Sequence, residues 1–569
     1  MKTISVYFVI GVFLQCLLFN AINVIAEEHY ASSTQVKLTA SDAESNDAFG
    51  WSVAVAGDTA VVGAYDEDSG GSRAGAVYVY DRNETNAWSE IKKLTAADAQ
   101  AYDEFGFSVA MAGDVAVTGA HLEDGAGNNA GAAYVFERNT GGANAWNLVK
   151  KLTAADAEAG DEFGISVTAA GDVVVVGSFY ESSGGAGAGA AYIFERNAGG
   201  VDNWGELKKL VASDADAGDL FGWSVAVAGD VVVVGAKSEA SGGAGAGAAY
   251  VFERNTGGTN AWGEVKKLTA SDAEAGDYFA HSVSVAGNVA VVGAKTGDAG
   301  AGSAYVFERD AGGTNTWGEV KKLTASDAEA NDNFGCSVSV AGDVAIVGSY
   351  RESTGGSNAG AAYIFQQDAG GNNTWGEVEK LMASDAQAYD SFGYAVAVDG
   401  SVAVVGAYGA NASAAATDSG AAYIFEHFIA TGPEIGTNAL VFPKAGTVLS
   451  TTGSTNIVWD IEMIHDETDG TNVTIAKICV HNAETTNEVA TVTNNVSNLL
   501  GAVPWTVPAA LADGVTEYVL RFEAVNSISL TNSVILWDNA FTIVPEPAWW
   551  LFVYGMLLFG MGKREWVKG

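Results

Sequence analysis

The chain has 569 residues, with 28 Lys and Arg against 69 Asp and Glu, giving a formal net charge of −41 although only 17% of residues are charged. Phosphate backbones are held by Lys and Arg, so this balance argues against nucleic acid as a partner, and 48% hydrophobic residues exclude a disordered acidic tail. The pairing of 71 Gly with only 6 Pro fits tight turns between many strands better than a flexible low-complexity chain, and it favours an all-β architecture.

The N-terminus reads Met1-Lys2, an apolar run from Val6 to Phe19, then Val24-Ile25-Ala26 before Glu27-Glu28. This fits a secretory signal over residues 1–26 with cleavage after Ala26; the alternative is a buried first strand or an anchoring helix. Cys16 lies inside that segment, and Cys336 and Cys479 fall in different expected domains. Two free, buried thiols are therefore expected, with no disulfide framework.

From residue 34 the chain repeats itself. Phe-Gly recurs at Phe49, Phe105, Phe163, Phe221, Phe279 (followed by Ala280), Phe334 and Phe392, at spacings of 56, 58, 58, 58, 55 and 58 residues. A fixed period of this size marks a repeat architecture. Within one unit, Phe221 to Val227 alternates, Ala228-Gly229-Asp230 turns, and Val231 to Gly235 is an apolar run. A Gly-rich loop, Ala249 to Phe252, a turn-rich connection and Trp262 to Leu268 complete four short strands. Seven such units predict a seven-bladed β-propeller over 34–428. The seventh unit lacks a fourth strand, and an orphan copy of it, Gln35-Val36-Lys37-Leu38, precedes the first Phe-Gly. The two are expected to complete each other and close the ring without an unpaired edge.

The units Phe-Gly-x-Ser-Val-Ala-Val, Val-Val-Gly-Ala and Gly-Ala-Ala-Tyr-Val-Phe resemble the FG-GAP repeat of integrin α-chain propellers and bacterial surface proteins, over roughly 35 to 428. The Pro of that family's Gly-Ala-Pro is replaced here by Tyr65, His121, Phe179, Lys237, Lys295, Tyr350 and Tyr408. Many members also carry a Ca²⁺ loop between the first and second strands. In this chain the connection is a tight Ala56-Gly57-Asp58 turn or its equivalent, too short for the six to eight oxygens that Ca²⁺ takes. The integrin-type calcium sites are accordingly expected to be missing, and no cofactor is implied.

Alternating strand direction places the second-to-third loops and the blade-to-blade crossovers on one face. Each crossover carries two Asp five residues apart: Asp42/Asp47, Asp98/Asp103, Asp156/Asp161, Asp214/Asp219, Asp272/Asp277, Asp327/Asp332 and Asp385/Asp390. Five further acids between them make that face strongly negative. One reading makes these loops weak divalent-cation sites or a docking surface for cationic partners. The other makes each Asp an acceptor for loop N–H groups that fixes the crossover, and recurrence in every blade favours it. Trp88, Trp146, Trp204, Trp262, Trp317 and Trp375 open the outer strands and are expected to pack between blades, the alternative being a carbohydrate platform. An enzyme needs unlike groups converging at one mouth, whereas a scaffold keeps near-sevenfold sameness. The blade-specific His121, His281 and His427 occupy non-equivalent positions and show no shared mouth in the sequence.

From Gly432-Pro433 the repeat stops. Alternating segments such as Asn456 to Trp459, Val473 to Ala476 and Tyr518 to Phe522 predict a β-sandwich of immunoglobulin or fibronectin type over 434–544. Phe442 to Gly446, Ile457-Val458-Trp459 and Trp505-Thr506-Val507-Pro508 resemble the Ser/Thr-rich anchored wall-protein domain of fungal and bacterial surface proteins, which implies a stalk. Residues 545–569 contain Pro545-Glu546-Pro547, an apolar stretch from Ala548 to Gly562, and Lys563-Arg564. This order resembles the PEP-CTERM sorting signal of Gram-negative bacteria, which implies an exosortase as processing partner and a transient membrane helix. Fifteen apolar residues fall short of the roughly 20 that span a bilayer, and a plain C-terminal anchor is the alternative. The whole predicts a non-catalytic binding or adhesion scaffold of the cell surface or extracellular matrix, with a glycan or surface protein as ligand. A polysaccharide-active propeller enzyme and a cation-dependent adhesin are the alternatives.

Overall fold

Val-rich second strands are apolar on both faces, and such a strand is stable only where sheets cover it from two sides. In the computed structural model they are the middle strands of seven four-stranded antiparallel sheets. The structure describes residues 34–426 except 143 and 370–373, together with isolated strands between 455 and 551. In blade 4 the strands are Phe221–Ala228, Val231–Ala236, Ala248–Arg254 and Trp262–Leu268, paired in sequence order. Blades 1 to 3, 5 and 6 repeat this order, and all six residues of Val231–Ala236 are buried. Seven apolar layers separate the blades, each built from two neighbours. One joins Val231, Val233 and Val251 of blade 4 to Phe279, Val292 and Tyr305 of blade 5. The matching layer between the last and first blades joins Leu38, Val404 and Ile424 to Val62 and Tyr78. The core is therefore a ring of interfaces around an axis lined by first strands.

The ring closes as expected. Thr34–Leu38 pairs antiparallel with Ala421–Glu426, Thr34 opposite Glu426 and Leu38 opposite Ala422. It supplies the outer strand of blade 7, whose other strands are Ala395–Asp399 and Val402–Ala407. Lys37 reaches Asp385 at 2.6 Å across the seam.

Neighbouring blades touch backbone to backbone at the axis. A Cβ on Gly63 would lie 2.1 Å from the carbonyl oxygen of Gly106 in the next blade. Only Gly fits that approach. Beside each such contact the Ser after Phe-Gly-x donates to the same carbonyl, from Ser52 to Gly106 at 2.7 Å through Ser337 to Gly393 at 2.9 Å. At the seam between blades 7 and 1, Ala395 stands where the other blades have this Ser.

In the second unit, Glu488–Asn494, Thr474–Asn482, Glu517–Val525, Ser533–Thr542 and Trp550–Leu551 form a five-stranded sheet in that order. Thr455–Ile457 pairs with Val503–Trp505. Of the segment expected as a sorting helix, Trp550–Leu551 forms a short strand against Phe541 and Thr542. The rest of that segment, including Pro545, Glu546, Pro547, Lys563 and Arg564, lies outside the described residues, as do the signal segment with Ala26 and His427. Among the described residues there is no α-helix, and none long and apolar enough to cross a membrane.

Closure by Thr34–Leu38 sets a stability prediction. Leu38 is 4% exposed in the layer between blades 7 and 1, so Leu38→Ala is expected to cost about 2–4 kcal/mol. Deletion of residues 27 to 40 should lower the unfolding midpoint further by opening the edge of Ala421–Glu426. Thermal unfolding followed by circular dichroism reads both, and an unchanged midpoint for the deletion would mean that the ring is closed by something else.

Candidate functional site

The paired Asp residues of the crossovers have two different environments. The first of each pair bridges its own blade: Asp42 accepts from the Tyr78 hydroxyl at 2.7 Å and from Lys93 Nζ at 2.7 Å. Asp98, Asp156, Asp214, Asp272 and Asp327 repeat this with Tyr134/Lys151, Tyr192/Lys209, Tyr250/Lys267, Tyr305/Lys322 and Tyr363/Lys380. Asp385 takes Tyr423 and, from the closing strand, Lys37. Burial raises these seven carboxyls, but the hydrogen bonds from Lys and Tyr outweigh it and hold them below the usual Asp value. The same Lys extends to a buried acid of the second-to-third loop, Lys93 to Glu67 at 2.9 Å and Lys151 to Glu123 at 2.9 Å. One ammonium thus ties crossover, outer strand and loop together.

The second Asp of each pair is buried or nearly so and accepts from the backbone N–H three residues earlier, as Asp47 does from Glu44 and Asp103 from Gln100, both at 2.7 Å. Asp161, Asp219, Asp277, Asp332 and Asp390 do the same. Burial, opposed by that hydrogen bond and aided by neighbouring carboxylates, pushes Asp47 and Asp103 up to about 6. These are the bonds of loops that hold themselves in shape. Among the described residues no three His, Cys, Asp or Glu side chains are grouped as a metal site.

The six Trp residues lie in the blade interfaces. Trp146, Trp204, Trp317 and Trp375 are 1% exposed. Arg196 stacks over Trp204 at 4.7 Å and also pairs with Glu137 of the preceding blade, to which the Trp204 N–H donates at 3.1 Å. Their ring faces are used for packing, which leaves no sugar platform there.

The blade-specific positions gather at one end of the ring, which their places in the sequence do not show. Four positions per blade vary freely: the residue before Phe-Gly, the one after it, and the two after the second strand. They converge on the axial end of the ring. Trp51, after the first Phe-Gly, contacts Tyr65 of its own blade, Phe107 of blade 2, and Tyr394 and Tyr408 of blade 7, with ring centroids 4.4 to 5.4 Å apart. Phe107 meets His121 at 4.2 Å, and Trp223 meets His281 at 5.7 Å. His121 and His281 thus belong to the same varying set, in different blades, each packed on an aromatic ring. The first-strand and second-strand positions are neighbours in space because those strands pair.

The residue before Phe is left-handed in every blade, at Ala48, Glu104, Glu162, Leu220, Tyr278, Asn333 and Ser391, with φ between 50 and 59°. Glycine is the usual choice there, and a side chain costs about 1–2 kcal/mol. The seven non-Gly residues at this position carry six kinds of side chain, Glu104 and Glu162 being alike.

Charge divides the mouth in two. On the side of blades 1 to 3, Arg73 pairs with Asp66 at 2.8 Å and Glu104 at 2.6 Å. His121 Nε2 lies 3.6 Å from Glu104 and 3.9 Å from Glu162, while its buried Nδ1 has no partner. Burial, helped by Arg73, takes His121 down to about 3, and burial with Glu104 takes Glu162 up to about 7. On the side of blades 4 to 6 stand Lys237, Lys295 and Arg351, none with a carboxylate within 4 Å among the described residues. Cys336, a free buried thiol, and His281 sit with them.

The two kinds of crossover Asp predict opposite responses to pH. A carboxyl raised by folding stabilises below its unfolded value and loses that contribution as pH rises through about 6; a lowered one stabilises above its unfolded value and loses it in acid. Asp103→Asn keeps an oxygen for the Gln100 N–H and is expected to hold or raise the melting temperature by about 1–3 °C near neutral pH, an advantage that vanishes near pH 4. Asp98→Asn should lower it near neutral pH. Thermal scans in EDTA and in millimolar Ca²⁺ check both, and a Ca²⁺-dependent separation of the curves would assign the loops to cation binding instead.

Known families match both units. The FG-GAP repeat matches residues 33–80, 88–136, 146–194, 204–252, 262–307, 317–365 and 375–425, one segment per blade. The Kre9/KNH-like N-terminal Ig-like domain matches residues 442–543. No curated protein matches the chain. Both domains are typical of extracellular or cell-surface proteins and of non-enzymatic binding proteins. With seven matched repeats covering more than half its length, the chain belongs to the FG-GAP repeat family.

Proposed function

We propose that the protein is an exported, non-catalytic binding disc that holds a glycan or a surface-protein ligand at the axial mouth, with the Ig-like domain as its stalk. The observation that carries this reading is the meeting of the divergent repeat positions at one place: seven blades alike in core and crossovers differ where Trp51, Tyr65, Phe107, Tyr394 and Tyr408 cluster. Aromatic faces that stay partly open give a large contact area at low entropic cost. Export and sorting rest on residues 1–26 and on Pro545, Glu546, Pro547, Lys563 and Arg564. They make an exosortase the processing partner and the cell surface or matrix of a Gram-negative bacterium the destination. Nucleic acid is disfavoured by the net charge of −41.

A second reading, an enzyme acting on polysaccharide, draws on His121, which no other blade carries at its position, and on Glu104 and Glu162, which precede Phe-Gly in adjacent blades and lie beside it. Their separations of 3.6 and 3.9 Å are longer than the hydrogen bonds that a general acid or base uses.

A glycan array, run with and without Ca²⁺, separates the readings. Binding is expected to fall by about tenfold or more in Tyr408→Ala and Trp51→Ala, with little change in Glu162→Gln. Product released from a bound polysaccharide and abolished by Glu162→Gln would replace the scaffold with the enzyme.

A further inference from the structure

Seven lysines on this face are each bonded to the first Asp of a crossover, from Lys37 with Asp385 to Lys380 with Asp327. Lys237 and Lys295 are different. They occupy the same position in adjacent blades, where the other five blades carry an aromatic residue or His. Both are half-buried, and no carboxylate lies within 4 Å of either among the described residues. In a chain with 69 acidic residues, two neighbouring ammonium groups without counter-ions are a local exception. Burying like charges side by side is unfavourable unless an anion joins them.

The surroundings add ring faces. Lys237 lies over the Trp223 ring, and Trp223 packs against Phe179 at 5.1 Å. Tyr180, 45% exposed, packs on Phe179 at 4.0 Å. Arg351 follows in blade 6, exposed and stacked on Tyr350 at 5.2 Å. A site with cations beside aromatic faces suits an anion carried on a ring, because the sugar face stacks while the carboxylate pairs. The opposite arc, with Asp66, Glu104 and Glu162, repels the same ligand, so a polyanion is confined to blades 4 to 6.

We propose that Lys237 and Lys295, beside the Trp223 ring, form an anion site that takes the carboxylate of a uronate residue in an acidic polysaccharide. This rests on the binding-disc reading and names its ligand class.

The lysines supply a readout that packing alone would not. Burial, reinforced by Lys295, brings Lys237 down to about 7, and burial also lowers Lys295. Two titratable groups facing them do not gain charge near neutrality: His281 is held neutral by burial and by both lysines, and the Cys336 thiol is raised by burial; the Arg351 guanidinium lies on the far side of Lys295. Uronate affinity should therefore weaken as pH rises through about 7.

The experiment is calorimetric titration of the full chain with an oligouronate, a neutral oligosaccharide of equal length, and inorganic phosphate. The oligouronate is expected to bind best at about pH 6 and to lose about tenfold or more in affinity in Lys237→Met and Lys295→Met. Lys237→Arg should retain binding with a flatter pH response. Equal binding of phosphate and oligouronate would reduce the site to a simple ion site and overturn the proposal. Binding of the neutral sugar, indifferent to Lys237→Met, would overturn the anion site and leave the binding disc standing. Failure of both sugars to bind would overturn the anion site, and the disc would then be judged on protein ligands. Unchanged melting temperatures of the variants show that each loss is local.

Discussion

Backbone contact between blades is the constraint on which the rest depends. The Val-Val-Gly strand end and the Phe-Gly turn of the next blade approach until a single methyl would collide, as Gly63 against the Gly106 carbonyl shows. Around that contact the Phe of each Phe-Gly is fully buried, with the Tyr of its own third strand edge-on at about 5.5 Å. Because every blade meets two neighbours this way, no blade can shift alone. The seam between blades 7 and 1 has no Ser to bond the Gly50 carbonyl, since Ala395 replaces it. There the strand Thr34–Leu38, continuous with blade 1, joins first and last blades, and the Lys37–Asp385 pair fastens it within blade 7.

The blades were legible in the sequence because their physics is periodic. Apolar runs bounded by Gly-Asp turns marked the second strands, and the observed Val231–Ala236 and Trp262–Leu268 match the expected segments closely. The missing fourth strand of unit seven and the spare Gln35 to Leu38 determined closure, since a propeller requires a whole number of complete sheets. The division after residue 429 was also visible as a change of composition.

The chemistry of the crossovers was only half legible. Recurrence pointed to a structural role for the Asp pairs, and the second Asp does accept from a loop N–H. That the first Asp is held by Tyr and Lys from two other strands was hidden, because those partners lie 36 and 51 residues away for Asp42. The face is consequently less negative than its acids alone implied: each of these seven carboxylates has an ammonium against it. The mouth was illegible for the opposite reason. Its signal is divergence, and His121 and His281 stand in different columns of the repeat, one after the second strand and one after the Phe-Gly position. Pairing of the first and second strands brings these two columns together in space.

This arrangement separates stability from specificity. Residues that hold the ring recur in every blade and are buried or paired, so a change in any of them is felt across an interface. Residues at the mouth project from the ends of strands already fixed by those interfaces. They can differ from blade to blade as Tyr65, His121, Phe179 and Lys237 do without disturbing the Val core beneath them. The left-handed residue before each Phe belongs to the same division. Its backbone strain is borne by the crossover, whose Asp carboxylates hold the loop in place, and the side chain it carries is free to vary. A ring of identical supports carrying unlike side chains can then present aromatic, acidic and cationic arcs around one axis.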